Sequence, residues 1–403
     1  MIQARKAIVV GGSLGGLFAA NLLLRDGWDV HVYEREGQDM AGRGAGIVTH
    51  PELMHALTLA GAVVDESLGV NIVERIALGQ DGTRVGSRTV PQLFTSWGRM
   101  FQALRSVFPD DRYHHGMPVT GFAQDSTSVS VTFADGSTAL ADLLVATDGV
   151  RSTLRQVLLP HAGLVYAGYV AWRGVVEESA LSAQAMKDVF PYFAFGLPPH
   201  EQLVAYPIAG HDHRVDAGHR RYNFVWYRPV DEATTLQDLM TDASGKLWPD
   251  GIPPPLIRPE ILSAIRQVAR DVLAPQFAEL IEKTESLFFQ PIYDMASTQL
   301  AFGRIALLGD AAFVARPHCG MGVAKAAGDA LELARALGEH DSIEDALKAY
   351  ELPRLGLGQR TVAQARHLGA YLQAQISTPM EREMAERYRA PDVVLAETAM
   401  PLA

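Results

Sequence analysis

Cysteine is almost absent from this sequence, since Cys319 is the only one among 403 residues. One cysteine cannot form a disulfide within the chain, which excludes a disulfide-stapled fold and a Cys-x-x-Cys redox pair. The sequence also lacks an apolar run of roughly 18 residues and a charged-then-apolar leader segment. We therefore expect a cytoplasmic protein.

Positive charge is scarce as well. Charged residues make up 20% of the sequence, and the formal net charge is -11. Binding to nucleic acid requires clustered Lys and Arg side chains, which this balance does not indicate, whereas a small uncharged or anionic ligand is compatible with it. The apolar content of 48% can bury a large core, and the length corresponds to roughly two domains or one elaborated domain.

Residues 6–35 carry a dinucleotide-binding pattern. The segment KAIVVGGSLGGLFAANLLLRDGWDVHVYER predicts a strand at 7–10, a glycine turn, a helix at 17–25 and a parallel strand at 30–33. Gly11, Ser13 and Gly16 fill the three places of G-x-G-x-x-G, where a pyrophosphate approaches the backbone at a helix N-terminus. Glu34 follows the second strand, where a carboxylate can accept both hydroxyls of a ribose. This pattern predicts a dinucleotide without distinguishing NAD from FAD.

Two later segments each end a buried strand on a polar turn. The segment ALADLLVATDGVRSTLRQVL predicts a strand at 143–146 that runs into Asp148-Gly149, and a hairpin with its turn at 135–136 precedes it. The segment LLGDAAFVARPHCGMG ends its apolar run at Gly309-Asp310 and passes through Pro317, Gly320 and Gly322 into a helical stretch. Taken alone, each dipeptide reads as an ordinary turn.

Together and in this order, the three motifs resemble the group A, single-component, FAD-dependent aromatic hydroxylases over residues 6–370. The resemblance implies an α/β fold in which a Rossmann-like FAD-binding domain (1–160 and 285–340) is interleaved with a substrate domain built on a mixed or antiparallel sheet (161–284). A C-terminal helical segment (341–403) follows. Helices are expected at 259–282, and at 343–376 with an interruption at Pro353.

The resemblance also assigns cofactor roles. Asp310 would accept a hydrogen bond from the ribityl chain, while Asp148 and Gly149 would lie beneath the pyrophosphate. The family's arginine near residue 97 is replaced by Trp97, and Arg99 is out of register. The remaining expected FAD contacts are Gly11, Gly12, Ser13, Leu14, Gly15 and Gly16 at the pyrophosphate, Glu34 and Arg35 at the adenosine ribose, and Pro317, Gly320, Met321 and Gly322 beside the flavin.

The activity implied is NADH- or NADPH-dependent hydroxylation of an aromatic ring by O2 through a flavin C4a-hydroperoxide. Segments such as GAGIVTHPEL (44–53), YAGYVAWRGVV (166–176) and NFVWY (223–227) are similar to the family members that act on hydroxypyridines, so a small hydroxylated N-heteroaromatic ring is the expected substrate. A phenol or a larger polycyclic ring is the alternative. A plain NAD-binding protein would need only the first motif. A homodimer is expected from the family alone.

A hydroxylase of this kind needs a group that makes the substrate ring nucleophilic. His50 is the first candidate, because it follows the strand-like GAGIVT and precedes Pro51, although it could equally cap the helix. His318, Tyr206 and Tyr227 are the other catalytic candidates, and Tyr206, Trp226 and Pro317 join His50 as expected substrate contacts. His211 and His213 lack carboxylate or cysteine partners at ligand spacing, so no metal site is predicted.

Overall fold

The computed structural model describes residues 4–38, 40 and 46–402. Its strands in chain order are β1 Lys6–Val10, β2 Asp29–Tyr33, β3 Gly46–Val48, β4 Val70–Leu78, β5 Arg84–Ser96, β6 Tyr113–His114, β7 Val119–Gln124, β8 Val129–Phe133, β9 Thr138–Ala141, β10 Leu143–Ala146, β11 Val165–Glu177, β12 Phe193–Gly196, β13 Gln202–Ile208, β14 Arg221–Pro229, β15 Phe288–Ala296, β16 Ala301–Phe302, β17 Ile305–Leu307 and β18 Phe313–Val314.

The helices are distributed along the whole chain. They are α1 Leu14–Arg25, α2 Pro51–Leu59, α3 Trp97–Arg105, α4 Thr153–Leu158, α5 Ala183–Asp188, α6 Thr235–Leu239, α7 Pro259–Val272, α8 Pro275–Lys283, α9 Gly322–Glu339, α10 Ile343–Leu368, α11 Pro379–Arg387 and α12 Pro391–Glu397. Within the described ranges, no helix is both long and apolar enough to cross a membrane.

The first sheet has the strand order β16-β17-β10-β1-β2-β6, and all its neighbours except the β16–β17 pair are parallel. Strand β10 occupies the predicted residues 143–146, and the hairpin before it forms as β8 and β9. Helix α1 packs between this sheet and α9. It begins at Leu14, three residues earlier than predicted, because Gly15 and Gly16 are themselves helical.

The second sheet is mixed, with the order β18-β15-β11-β14-β13-β12-β4-β5-β3. One face is covered by α7 and α8, whose buried residues include Ile265 and Phe277. The opposite face, which includes Tyr206 and Tyr227, belongs to a separate apolar cluster. A parallel sheet beside a mixed one confirms the predicted α/β architecture.

The division of the chain into domains at 161–284 stays a prediction. The second sheet also includes strands from outside that range, namely β3, β4, β5, β15 and β18. Two helix predictions differ from the structure. The expected helix at 259–282 is two helices, because Pro275 starts α8 and cannot continue α7. Helix α10 continues through Pro353 because buried residues on both sides, such as Tyr350 and Val362, hold it in place, and it ends at Leu368 rather than at 376.

Candidate active site

A cavity of about 460 Å³ opens at the carboxyl ends of β1, β2 and β10. We call it the first cavity. Several residues of the first two sequence motifs therefore meet at one sheet edge, as parallel strands require. Its walls are formed by Val10, Gly11, Ser13, Tyr33, Glu34, Arg35, Glu36, Met40, Trp97, Met117, Pro118, Val119, Thr147, Asp148, Gly149 and Thr153.

The glycines after β1 are required by close backbone approaches. Gly11 has a φ of +100°, and a Cβ there would lie 2.4 Å from the Thr147 carbonyl oxygen. A Cβ on Gly16 would lie 1.9 Å from the Gly11 carbonyl oxygen, and one on Gly12 would lie 2.1 Å from the Tyr113 hydroxyl. Gly15 is different, because a Cβ there would only touch Ala326 at 3.4 Å. Three of the four glycines thus hold the turn tight against its neighbours.

The N-terminus of α1 faces this turn with free donors. Ser13 caps the helix without a side-chain hydrogen bond, and no acidic residue lies in the first turn. The Leu17 amide makes the first intrahelical bond, to the Ser13 carbonyl at 2.9 Å, so the amides of Leu14, Gly15 and Gly16 have no intrahelical acceptor. Unpaired amides and the positive end of the helix dipole suit a pyrophosphate. The Leu14 side chain is buried, so only its backbone is suited to this contact.

Glu34 lies in the wall of the first cavity and fixes the glycine turn to the end of β2. Its carboxylate accepts hydrogen bonds from the Gly12 amide at 2.7 Å and from the Glu36 amide at 2.9 Å. Arg35 lies exposed at the rim, with its Nε 3.8 Å from the Glu36 carboxylate. The two residues predicted to contact ribose therefore both border the cavity.

Asp148 ends β10 and organises the turn before α4. Its carboxylate accepts hydrogen bonds from the Ser152 hydroxyl and, at 3.2 Å, from the Leu154 amide. Burial raises the pKa of Asp148, and these hydrogen bonds oppose that effect. Gly149 has a φ of +83°, and a Cβ there would meet no atom within 4 Å, so its backbone is open to the cavity.

Arg155 joins the second motif to the third. Its buried guanidinium donates to the carbonyl oxygens of Val150 at 2.6 Å and Ala311 at 3.2 Å. Arg151 has a different role, because it forms an ion pair at 2.5 Å with the exposed Asp250. Although the two arginines are four residues apart, they therefore have different partners.

The Gly309-Asp310 turn is held from below by α9. Gly309 has a φ of +65°, its carbonyl oxygen accepts a 2.7 Å hydrogen bond from the Lys325 ammonium, and its amide donates to Asp329 at 3.1 Å. Asp329 also pairs with Arg354 at 2.6 Å. Sequence reasoning missed this buried network, although a lysine and an aspartate four residues apart on one helix were a visible signal.

Asp310 itself points into a second cavity of about 220 Å³. Its side chain is exposed there, although the surrounding protein desolvates the carboxylate and raises its pKa, against the lowering effect of the Lys325 and Arg155 charges. A carboxylate that is accessible only from a cleft is available to accept hydrogen bonds from a ligand. The second cavity is lined by Gly46, Ile47, Val48, Arg173, Phe193, Val204, Tyr206, Val225, Tyr227, Asp310, Ala315, Arg316, Pro317, His318, Gly320, Gly322, Val323, Thr398 and Ala399.

The N-terminus of α9 forms one side of the second cavity. Pro317 starts a short turn, Gly320 follows it with a φ of +63°, and the helix begins at Gly322. The first intrahelical bond is made by the Lys325 amide, to the Met321 carbonyl at 2.7 Å, so the preceding amides have no acceptor within the helix. A Cβ on Gly322 would meet nothing within 4 Å, whereas the Met321 side chain is buried in the core.

His318 is buried with both ring nitrogens engaged. Nδ1 lies 3.1 Å from the Gln202 side-chain oxygen, and Nε2 lies 2.8 Å from the Tyr169 hydroxyl. This network assigns the proton to Nδ1 and makes Nε2 an acceptor. Burial, together with the charges of Arg316 and Arg173, lowers the pKa of His318 to about 3. A neutral histidine with two partners is suited to positioning, not to taking a proton from a ring hydroxyl at neutral pH.

His50 lies beside this cavity and is not among the described residues of its wall. It is the N-cap of α2, and its Nε2 lies 3.2 Å from the Gly320 carbonyl oxygen. Burial lowers the pKa of His50, and the hydrogen bond to Gly320 opposes this. His50 therefore lies at the helix-capping position, which was the alternative to a catalytic role. Its ring contacts the loop that precedes α9. The first two residues of the GAGIVT segment lie outside the described residues.

Tyr206 and Tyr227 face the second cavity, whereas Trp226 does not. Successive residues of β14 point to opposite faces of the sheet, so Tyr227 and Val225 line the cavity while Trp226 is fully buried on the other face. The Trp226 indole donates a 2.8 Å hydrogen bond to Glu201 there. The prediction that Trp226 contacts substrate is therefore wrong. Its neighbour Tyr227 is the residue whose side chain lies on the cavity face of β14.

The C-terminal segment 391–400 closes the second cavity through Thr398 and Ala399. The Ala399 amide donates to the His318 carbonyl at 2.8 Å, and the carbonyl of Thr398 accepts a 2.6 Å hydrogen bond from Arg75. Arg75 is fully buried, and its described partners include no carboxylate. Its role was not visible in the sequence, because more than 300 residues separate it from Leu395 and Thr398.

Other residues singled out by the sequence have structural partners. Trp97 lines the first cavity and stacks on Phe101, while Arg99 donates to the Ser67 hydroxyl at 2.7 Å. The exposed His211 ring places its Nε2 3.1 Å from the Glu177 carboxylate. Cys319 is buried, and no cluster of three or more potential metal ligands occurs within residues 4–38, 40 and 46–402.

These features fit an FAD-sized dinucleotide. The glycine turn and the uncapped start of α1 provide an anion site at the first cavity, and Asp310 and the start of α9 lie at the second. A pyrophosphate requires hydrogen-bond donors, which the backbone amides of the tight glycine turn can supply. A polyol requires an acceptor for its hydroxyls, which the accessible carboxylate beside the start of α9 can supply.

Comparison with known proteins gives the same assignment. A family model described as "FAD binding domain-like" matches residues 166–294, and one described as "FAD binding domain" matches residues 263–365. The 2,6-dihydroxypyridine 3-monooxygenase of Paenarthrobacter nicotinovorans is 35% identical over 91% of both chains. The FAD-dependent urate hydroxylase of Klebsiella pneumoniae is 30% identical over 90% of this chain and 88% of its own.

Solved structures share the fold. The 2,6-dihydroxypyridine-3-hydroxylase from Arthrobacter nicotinovorans superposes with a TM-score of 0.87 at 33% identity, covering 94% of this chain and 96% of that one. A Klebsiella pneumoniae protein complexed with FAD and uric acid has a TM-score of 0.75 at 24% identity, covering 98% and 97%. The predicted family and cofactor are confirmed: the chain belongs to the FAD-dependent aromatic-ring monooxygenases and is an enzyme of that type.

Proposed function

We propose that this enzyme uses NADH or NADPH and O2 to hydroxylate a small hydroxylated N-heteroaromatic ring of the hydroxypyridine class. The observation that carries the proposal is the second cavity, which brings Asp310 and the start of α9 together with the aromatic side chains of Tyr206 and Tyr227. The similarity to the Paenarthrobacter enzyme supports the choice of ring.

The residues that would hold FAD are those with free donors or acceptors at the two cavities. The turn from Gly11 to Gly16 and the start of α1 would bind the pyrophosphate, Glu34 the adenosine ribose, and Asp310 the ribityl hydroxyls. The free amides at the start of α9 would bind the flavin ring. There they would stabilise negative charge on the reduced flavin by about 0.3–2 kcal/mol. Bound FAD supplies hydride acceptance from the nicotinamide and activation of O2.

The protein contributes to substrate binding through the shape of the cavity, the exclusion of water and hydrogen-bond donors. Val48, Phe193, Val204 and Val225 give apolar walls that exclude water from the ring. Burial raises the pKa of Tyr206 strongly and that of Tyr227 to about 12, so both phenols stay protonated and act as donors. His318 positions Tyr169 and Gln202, and His50 holds the Gly320 carbonyl, so we assign both histidines positioning roles.

The test is a panel of hydroxypyridines and phenols offered to FAD-reconstituted protein with NADH or NADPH. The proposal expects substrate-stimulated NAD(P)H oxidation and a product heavier by one oxygen atom with a hydroxypyridine. Product formation only from a phenol or a polycyclic ring would move the enzyme to the alternative substrate class. Absence of any hydroxylated product across the panel would refute the hydroxypyridine assignment.

A further inference from the structure

A cation without a counter-ion lies in the wall of the second cavity. Arg173 is on β11, on the same face of the sheet as Tyr169 and Ala171, and it borders the cavity. Among the residues that the structure describes, none accepts a hydrogen bond from its guanidinium or pairs with it within 4 Å, and its Nε is buried without a partner. An unpaired guanidinium in a largely buried place is costly unless a ligand compensates its charge.

The neighbouring charged groups of the cavity already have partners. The Arg316 guanidinium forms a buried ion pair with Asp294 at 2.7 Å, and Asp294 also pairs with the exposed Arg366 at 2.5 Å. His318 is neutral, and both its ring nitrogens are occupied. Asp310 is the carboxylate of the described cavity wall, and no ion pair joins it to Arg173. Arg173 is therefore the cation of the described cavity wall that has no ion-pair partner among the described residues.

The polar groups beside Arg173 are hydrogen-bond donors. The hydroxyls of Tyr206 and Tyr227 share the same cavity wall, and both have no hydrogen-bond partner among the described residues. Two phenol donors and a guanidinium on one wall complement an oxygen atom that carries negative charge. A neutral ether oxygen would accept these hydrogen bonds more weakly, and an unsubstituted ring carbon would accept none.

We propose that Arg173 binds an ionised ring hydroxyl of the substrate, so that the enzyme selects aromatic rings that enter as oxyanions. This inference rests on the proposed function and deepens it by naming the ionisation state that the cavity recognises. A nearby cation favours the ionised form of the ring hydroxyl and lowers its pKa. The oxide oxygen then donates electron density into the ring, and no separate base is required in the cavity.

The experiment measures binding to FAD-loaded protein, because a change in flavin absorbance reports binding without turnover. The probes are 2,6-dihydroxypyridine, which ionises, 2,6-dimethoxypyridine, which cannot, and pyridine-3-carboxylate, whose charge is not on a ring oxygen. The variants are Arg173→Gln and Arg173→Lys. The matched control is Arg270→Gln, which removes the same charge from an exposed ion pair between Arg270 on α7 and Glu282 on α8.

The proposal expects wild-type affinity for the dihydroxypyridine to rise with pH across that probe's own ionisation, with little binding of the dimethoxy analogue. Arg173→Gln should weaken dihydroxypyridine binding roughly 10- to 100-fold and flatten the pH dependence, as expected for loss of a charge-assisted hydrogen bond. Arg173→Lys should recover part of the affinity, and Arg270→Gln should behave as wild type. FAD content should stay unchanged throughout.

Equal affinity of Arg173→Gln and wild type for the dihydroxypyridine would overturn the proposal, as would equal wild-type binding of the dimethoxy analogue. Tight binding of pyridine-3-carboxylate alone would reassign Arg173 to a carboxylate. If Arg173→Gln fails to retain FAD, the wild-type probe comparison and Arg173→Lys still decide the matter. Arg173-dependent anion binding without hydroxylation would instead refute the proposed function and leave this assignment standing.

Discussion

Lys325 donates a 2.7 Å hydrogen bond to the carbonyl oxygen of Gly309, so that a buried lysine of helix α9 fixes the turn that presents Asp310 to the second cavity. The same lysine lies 3.8 Å from Asp329, which in turn pairs with Arg354 and accepts from the Gly309 amide. One helix therefore carries both the support of the turn that presents Asp310 and the amides proposed to bind the flavin.

Replacing Asp329 with asparagine should destabilise the protein by about 3–5 kcal/mol, because Lys325 and Arg354 would remain buried without their carboxylate. The free energy of unfolding in urea measures this. Asp345→Asn removes a carboxylate from an exposed pair with Lys348 and should change stability little. Similar losses in the two variants would show that the buried network does not support the turn.

Replacing Asp310 with alanine should weaken FAD binding roughly 10- to 100-fold, the usual cost of a lost hydrogen bond to a charged group. Titration of apoprotein with FAD, followed by flavin fluorescence, gives the affinity. The fold should be retained, because the Asp310 carboxylate has no described hydrogen-bond donor within the protein. Asp238→Asn, at an exposed ion pair with Arg258, is the control, and an unchanged affinity in Asp310→Ala would remove Asp310 from the cofactor site.

The sequence predicted those parts of the site in which one short segment carries the whole geometry. The glycine turn, the 143–146 strand and the Gly309-Asp310 turn could each be recognised because strand, turn and helix follow one another within about twenty residues. The face of the sheet on which a side chain lies was harder to predict. In β14 the neighbours Trp226 and Tyr227 lie on opposite faces, so an error of one residue exchanges them. The groups around His318 could not be predicted, because Tyr169 comes from β11 and Gln202 from β13, two strands whose relative placement no local pattern specifies.

Folding stability should decrease as the pH falls below about 6.5, because of His318. The unfolded histidine takes up a proton near pH 6.5, whereas burial keeps the pKa of His318 at about 3 in the folded protein. The unfolded state then binds more protons, which lowers stability by up to about 1.4 kcal/mol per pH unit. His318→Gln should show a smaller slope between about pH 6.5 and 4.5, measured by urea unfolding, while His161→Gln, at an exposed position, should keep the wild-type slope. Equal slopes in all three proteins would contradict the neutral, buried state of His318.

Gly16→Ala and Gly15→Ala should differ sharply although they are adjacent in α1. The new Cβ at Gly16 would lie 1.9 Å from the Gly11 carbonyl, so the turn must move, at a cost of about 1–3 kcal/mol, and FAD affinity should fall with it. At Gly15 the Cβ makes an ordinary contact, and alanine favours the helix by up to about 1 kcal/mol. Thermal unfolding of the two apoproteins and FAD titration measure the difference, and equal stabilities would show that the close approach at Gly16 is absent in solution.

Arg75→Met should release the C-terminal segment from the second cavity. The Arg75 guanidinium donates to the carbonyls of Leu395 at 2.8 Å and Thr398 at 2.6 Å, and a methionine of similar length leaves both acceptors without it. Because Thr398 and Ala399 wall the cavity, their release should admit water and lower the affinity for the ring substrate.

Limited proteolysis should therefore cut the Arg75→Met protein faster within residues 378–401, and flavin-monitored titration should show weaker ring binding. Arg88→Met is the matched control, since Arg88 lies directly across from Arg75 on the neighbouring strand and is exposed. Faster cleavage without a change in ring affinity would mean that the segment is anchored by Arg75 and yet is not part of the substrate wall.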